Sequence, residues 1–403
     1  MPAPASSPIP APLGQLASIS DPTPLNDAVD LRTFLTGMPD PRGRNGRIYP
    51  FTALVCAVAA AVLTGAKSLT AIGEWITDAP PWALRALGFT PDPLTGRISV
   101  PHPATVRRLL ERLDGDALDR APGAFPDTRP PRTHTGRPAA RTIQRAVAVD
   151  GKTLRGSRTP QRTAVVLPAA MDHTGTVLAQ RQIADNSNEI PAFAPLLHAV
   201  DDLNGVMVTA DALHTQHAHG SYPRQRGAHY LAIVKKNHIK LHDPIRQLPW
   251  RDMPLEHYDR THAHHRIEIR RLKAAAFDHL DHPDAKQALQ IVRWRIDRAT
   301  GELPIKRVYL ITSLPPGTAT GTERASWTRG HWGIENLLHH VRDRTFREDD
   351  SKICTGHLPR AMASLRNLAI GIHRHNGETN MAAALHRTAR DYRQPLTALG
   401  ITD

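Results

Sequence analysis

The chain has 403 residues, enough for two or three domains with real cores, and an ordinary share of apolar residues. A formal charge of +13 and a pI near 10.2 point to a polyanionic partner such as nucleic acid, with an anionic membrane surface the weaker alternative. Two cysteines, Cys56 and Cys354, exclude a disulfide framework and a cysteine zinc knuckle, and suit a reducing cytoplasm.

Residues 1–28 are rich in Pro, Ala and Ser and read as a disordered tail, without the basic start and apolar core of a signal peptide. Residues 29–125 are predicted helical. LRTFLTGM, FTALVCAVAAAVLTGA, SLTAIGEWI and ATVRRLLERL place apolar residues three and four apart. The second of these, Phe51 to Ala66, is short for a membrane span and reads as a buried helix. In the last, Val106, Leu109, Leu110 and Leu113 form one face, and Arg107, Arg108 and Arg112 another. That basic face is either solvated or set against DNA phosphates. Residues 126–144 are rich in Pro and Arg and read as a linker, because proline excludes both helix and interior strand.

Beyond the linker, RAVAVD, RTAVVLPAAM and GTVLAQRQI read as strands, and NEIPAFAPLLHAV as a helix capped by Ser187 or Asn188. NGVMVTAD is a buried strand, residues 212–224 a short helix, and AHYLAIV another strand. This is an α/β pattern with a mixed sheet. From about 240 to 320 the signals are mostly strand, in HRIEIRRLKAAAF, QALQIVRWRID and PIKRVYLITSL. Helix returns over residues 322–345 and again from Arg360 to His373.

Asp150 closes the run RAVAVD, and Gly151 permits a sharp exit into a loop carrying Lys152, Arg155 and Arg158. Asp211 repeats this at the end of GVMVTAD, with His214 and Gln216 beyond it. On neighbouring strands the two carboxylates would converge at one sheet edge, where they repel unless a cation or proton lies between them. Glu335 lies in HWGIENLLHH, sharing a helical face with His331, Leu338, His339 and Arg342, and Trp332, Ile334 and Leu337 would anchor that helix in a core. Arg342 would hold a phosphate beside the metals. Two carboxylates at strand ends and one on a later helix suit a pair of Mg²⁺ or Mn²⁺ ions set against a phosphodiester. The run Glu348, Asp349, Asp350 reads as a charge-paired helix end, with extra metal ligation the alternative. His257, His262, His264 and His265 lack the spacing of a zinc site.

VAVDGKTLRGSR, NSNEIPAFAPLL, VTADALHTQ, HYLAIVKKN, HRIEIR, HWGIENLLHHVRDRTFREDDSKI and LRNLAIGIHRHN, in this order, strongly resemble the H-repeat-associated insertion-sequence transposases. The N-terminal MPDPRGRNGRIYP, LTGAKSLTAIGEWI and PHPATVRRLLERLD resemble that family's helical region. The resemblance runs from about residue 30 to the end, and Lys236, His238 and His265 are its small departures. It implies a DDE enzyme with an RNase H-like α/β core over residues 145–378, a strand-rich insertion at about 240–320 and a C-terminal helical tail over 379–403. It implies that Asp150, Asp211 and Glu335 are both the catalytic and the metal-binding triad for two Mg²⁺ or Mn²⁺ ions. The DNA-contacting residues expected are Lys152, Arg155, Arg158, His331, Arg342, Arg347, Arg107 and Arg108. The expected activity is cutting of insertion-sequence ends and joining of the 3′-hydroxyl to target DNA, by a homodimer when DNA is bound, in the cytoplasm. The rival readings are an RNase H-like nuclease that does not join strands, and a non-catalytic DNA-binding protein derived from a transposase.

Overall fold

The computed structural model describes residues 30–44, 47–127, 145–184, 187–263, 266–277 and 279–401. The expected tail at 1–28 and most of the expected linker lie outside these residues, as do His264 and His265. Residues 126 and 127 belong to a helix rather than to a linker.

Six helices come first: α1 (Leu31–Leu35), α2 (Phe51–Leu63), α3 (Leu69–Thr77), α4 (Pro81–Leu87), α5 (Pro103–Arg112) and α6 (Gly115–Asp127). Helix α2 is the apolar run, and Ala53 through Leu63 are all buried, so its lack of a polar face is explained by packing on every side. No helix among the described residues is long and apolar enough to cross a membrane. Side chains mark the helix starts: Ser68 caps α3 by accepting from the Ala71 N–H at 3.1 Å, and prolines open α4 and α5. In α5, Val106, Leu109, Leu110 and the following Leu113 are buried while Arg107 and Arg108 are exposed.

Helix α3 crosses α5 at Gly73, where an added Cβ would stand 2.6 Å from the ring of Pro103. Glycine inside a helix ordinarily costs about 1 kcal/mol relative to alanine. Here the rigid ring reverses the sign. Gly73→Ala is expected to destabilise the protein by about 1–3 kcal/mol in urea unfolding. An increase in stability would show that the helices separate freely at this crossing.

One sheet of nine strands follows, in the order β3-β2-β1-β4-β5-β9-β8-β7-β6. The strands are β1 (Arg145–Leu154), β2 (Val165–Asp172), β3 (Val177–Gln180), β4 (Val206–Ala210), β5 (His229–Val234), β6 (His257–Ala263), β7 (Arg266–Ala276), β8 (Gln287–Asp297) and β9 (Ile305–Thr312). Strands β1, β4 and β5 are parallel, and every other pairing is antiparallel. The strand-rich segment is therefore an extension of the central sheet, joined to it by β9 on β5. Strand β1 does not end at Asp150. It runs on to Leu154, but only β2 follows it, since pairing with β4 stops at Val149.

Helices α7 (Phe193–His198) and α8 (His217–Gln225) follow β3 and β4, and α9 (Ile239–Gln247) follows β5. After β9 come α10 (Gly321–His331), two π-helical stretches, α11 (Leu358–His375), α12 (Met381–Thr388) and α13 (Arg393–Ala398). Val147, Val149, Val208 and Ala210 pack with Phe193, Leu196 and Leu197 of α7 on one sheet face. On the other face, Ala148, Ala169 and Met171 share a core with Ile334 and Leu338, with α11, and with α2 and α5. Helix α11 is buried along nearly its whole length, so the N-terminal helices and the sheet face are sealed by the same apolar surface.

Candidate metal centre

Asp150 and Asp211 reach the site by register. Strands β1 and β4 pair from Arg145 opposite Val206 to Val149 opposite Ala210, so the next residue on each is an aspartate. In-register residues of parallel neighbours share a face, with strands about 4.8 Å apart. Since Val149 and Ala210 lie on the α7 face, alternation turns Asp150 and Asp211 to the opposite face, which holds Ile334 and Leu338. Asp211 also starts the turn Ala212–His214, accepting from the Leu213 N–H at 2.9 Å.

Glu335 arrives on the helical segment after α10. The backbone there is π-helical over Ile334–His339 and Val341–Thr345, a wide helix that is rare and often found at functional positions. Ile334 and Leu338 are buried and fix this segment to the sheet. Leu337 packs against the same core from a partly buried position, but Trp332 is 45% exposed and is no anchor.

His339 Nδ1 lies 3.1 Å from Glu335 Oε2 and 3.6 Å from Asp150 Oδ2. Asp150, Glu335 and His339 each offer a ligand atom within 4.8 Å of the others. Asp211 stands beside this group and outside it. The buried His339 Nε2 has no hydrogen-bond partner among the described residues. Two carboxylates and an imidazole form a donor set that suits a divalent cation. His339 as a donor was legible only as its four-residue spacing from Glu335.

Burial pushes the Asp150 carboxyl up to about 6, His339 and the Gly151 N–H pull it back, and repulsion from Asp211 and Glu189 adds to the rise. The hydrogen bond with His339 holds the Glu335 carboxyl below its ordinary value, against the effect of burial. Burial pushes His331 down to about 4, although Asp211 opposes this, so His331 is neutral at pH 7.

Three expected DNA contacts are corrected by burial. Arg342 is 0% exposed and donates to Glu348, Gln180 and Asn367, so its guanidinium cannot reach a phosphate. His331 is buried at the end of α10. Lys152 is buried and pairs with Asp343 at 2.6 Å and Asp349 at 3.8 Å. Arg155, Arg158 and Arg347 are exposed, as are Arg107 and Arg108. Of these, Arg155 has Asp349 at 3.7 Å and Arg347 has Asp350 at 3.0 Å, so the acidic run is charge-paired, with Glu348 its buried member.

These features define an α/β protein with an acidic centre, suited to a divalent cation, on the inner strands of its sheet. The Transposase DDE domain family matches residues 141–372, and its associated region, described as DDE_Tnp_1-associated, matches residues 32–125. The chain belongs to the Transposase DDE domain family. It is 29% identical over 242 residues to the H repeat-associated putative transposase YhhI of Escherichia coli K12, covering 56% of this chain and 63% of that protein. The putative protein YbfL of the same strain matches at the same identity and coverage. The chain thus spans less than two thirds of the length of the curated relatives it matches. A piggyBac transposase synaptic complex with hairpin DNA aligns over 89% of this chain and 72% of its own, at 11% identity and a TM-score of 0.37.

Proposed function

We propose that this chain is a DNA transposase with an RNase H-like core, which cuts the ends of an insertion sequence and joins the freed 3′-hydroxyl to target DNA. The convergence of Asp150 and Glu335, from an inner strand and a later helix, carries this reading. In this reading Asp211, which follows the Ala210 paired with Val149, completes the set. These three carboxylates, with His339, would hold Mg²⁺ or Mn²⁺. A pair of such ions lowers the pKa of a bound water and stabilises the leaving 3′-oxygen. The protein's part is to fix the carboxylates in place, and the rigid seat of Ile334 and Leu338 does this for Glu335.

Arg155, Arg158 and Arg347 are exposed, and Arg107 and Arg108 lie on the outer face of α5. In this reading they neutralise phosphates of the terminal repeats and target. Two copies act together on two ends, in the cytoplasm where the DNA lies.

The test is incubation of the protein with labelled end-repeat duplex, a target plasmid and Mg²⁺. Cut ends and joined products are expected, both lost in EDTA and both lost in Glu335→Gln. Cutting without joining would make the protein a nuclease instead. Binding with no metal-dependent cutting would make it a non-catalytic DNA-binding protein.

A further inference from the structure

The extended end of the sheet carries a basic groove. On β7, β8 and β9, Leu272, Ile291 and Val308 stand abreast and pack in one core with Ala325 of α10. Two residues along the same face, Arg270 stands opposite Arg293, and Arg293 opposite Lys306. Arg295 lies two residues beyond Arg293 on that face, and Arg329 joins from α10. These five cations line a cavity of about 520 Å³ together with two carboxylates, Asp259 and Glu268.

Like charges set directly opposite on neighbouring strands destabilise a sheet. The carboxylates offset only part of this. Asp259 pairs with Arg270 at 3.3 Å and with Arg329, and Glu268 pairs with Arg270 at 2.7 Å and with Arg293 at 3.4 Å. Both carboxylates are thus shared, and Arg295 and Lys306 form no ion pair among the described residues. Burial pulls the Arg293 guanidinium below its ordinary value, Glu268 opposes this, and Arg295 and Arg270 add to it. A concave face kept this positive suits a polyanion.

The groove runs up to the helical segment that carries Glu335. Trp332 and Asn336, three residues before Glu335 and one after it, line the groove, and Trp332 is 45% exposed. Asn336 Nδ2 donates to the Trp332 carbonyl at 3.2 Å, which fixes this rim. The cavity is of the size that takes a small ligand, so it admits a nucleotide or two and not a duplex. Cations in a row beside an exposed aromatic ring can track a phosphate backbone and stack a base. We propose that this groove holds a single strand of DNA beside the metal centre, its phosphates on Arg293, Arg295 and Lys306 and a base on Trp332. This deepens the transposase reading and rests on it for the identity of the polyanion.

The experiment is fluorescence anisotropy of the full chain with a fluorescein-labelled oligothymidylate of about 20 nucleotides, in EDTA so that the metal centre takes no part. The wild-type chain is expected to bind, more weakly as salt rises. Arg295→Gln and Lys306→Gln are each expected to weaken binding by about 5-fold or more and to reduce the salt slope by about 0.7, the share of one phosphate contact. Trp332→Ala is expected to weaken binding about 10-fold with the slope unchanged, because stacking releases no counterions. Lys240→Gln is the charge control. Lys240 is exposed on α9, which packs against Tyr309 and Ile311 on the opposite face of the sheet. This variant is expected to bind within about 2-fold of wild type. Binding that close to wild type in both Arg295→Gln and Lys306→Gln would overturn the proposal. Trp332→Ala at wild-type affinity would overturn the stacked base and with it the single strand. A loss seen with duplex and not with oligothymidylate has the same consequence. Displacement of oligothymidylate by polyglutamate at equal charge would make the groove a site for an acidic protein instead. Cutting is not read here, so failure of the groove leaves the metal-dependent reading to its own assay. A wild-type chain that binds neither strand nor duplex removes the DNA reading altogether.

Discussion

Asp150→Asn is expected to abolish cutting of end DNA while making the metal-free protein more stable. Removal of one preorganised charge from a reacting centre costs about 10²–10³-fold in rate, and loss of a metal ligand costs at least that. Stability moves the other way because of the charge Asp150 carries without a cation. Its carboxyl titrates at about 6 in the folded chain, above its ordinary 3.8, chiefly through burial and despite His339. Between about pH 4 and 6 the folded chain holds a proton that the unfolded chain has released, so stability falls as pH rises through that window. Above pH 6 the penalty is fully present, on the order of 1–2 kcal/mol once partial solvent access is allowed for. In EDTA, the variant should melt above wild type at pH 7–8, and the two should converge near pH 4. A variant that cuts at near wild-type rate removes Asp150 from the chemistry. One that melts lower in EDTA at pH 8 contradicts the electrostatic account of the site.

Glu348→Ala is expected to cost about 3–5 kcal/mol, the range for breaking a buried ion pair by removing one partner. Glu348 Oε2 accepts from Arg342 Nε at 2.8 Å, and Oε1 accepts from Arg366 Nη1 at 2.7 Å. All three side chains are buried. Arg342 Nη1 also donates to Gln180 at 3.2 Å and Asn367 at 3.3 Å, and Asn367 donates to Gln180 at 2.8 Å. This network ties the π-helical segment to β3 and α11 and so seats Glu335. Burial alone would push the Glu348 carboxyl up, but the two guanidinium groups outweigh it and hold the carboxyl below its ordinary value. Its contribution is therefore present above the ordinary carboxylate pKa and is lost as pH falls. Urea unfolding at pH 7 measures the effect, and a change under about 1 kcal/mol would show that the two arginines find other partners.

The same network shows what sequence could not reveal. Glu335, His339 and Arg342 share a predicted face, and by residue type Arg342 looked like a phosphate ligand. Whether an arginine meets DNA or a carboxylate depends on what lies opposite it, and Glu348 and Arg366 arrive through the tertiary fold. Lys152 was read as a loop cation for the same reason, and Asp343 claims it. Trp332 shows the converse, an aromatic beside the site that the fold leaves half outside.

Some elements were silent for local reasons. Strand β6, HYDRTHA, carries almost no apolar residues, so alternation gave no signal there, and it reads as a strand only through the family's strand-rich insertion. Helix α9 contains Pro244, which reads as a breaker. The apolar face of α5, the buried α2 and the central strands were legible, because burial imposes a period on the residues themselves.

Sequence by itself marked the candidate carboxylates, since Asp211 follows one buried strand, Asp150 lies within its parallel neighbour, and a period of two assigns both to one face. The tertiary structure alone decided which charges are free. That outcome depends on partners far apart in the chain, and a buried charge is tolerated only where such a partner meets it.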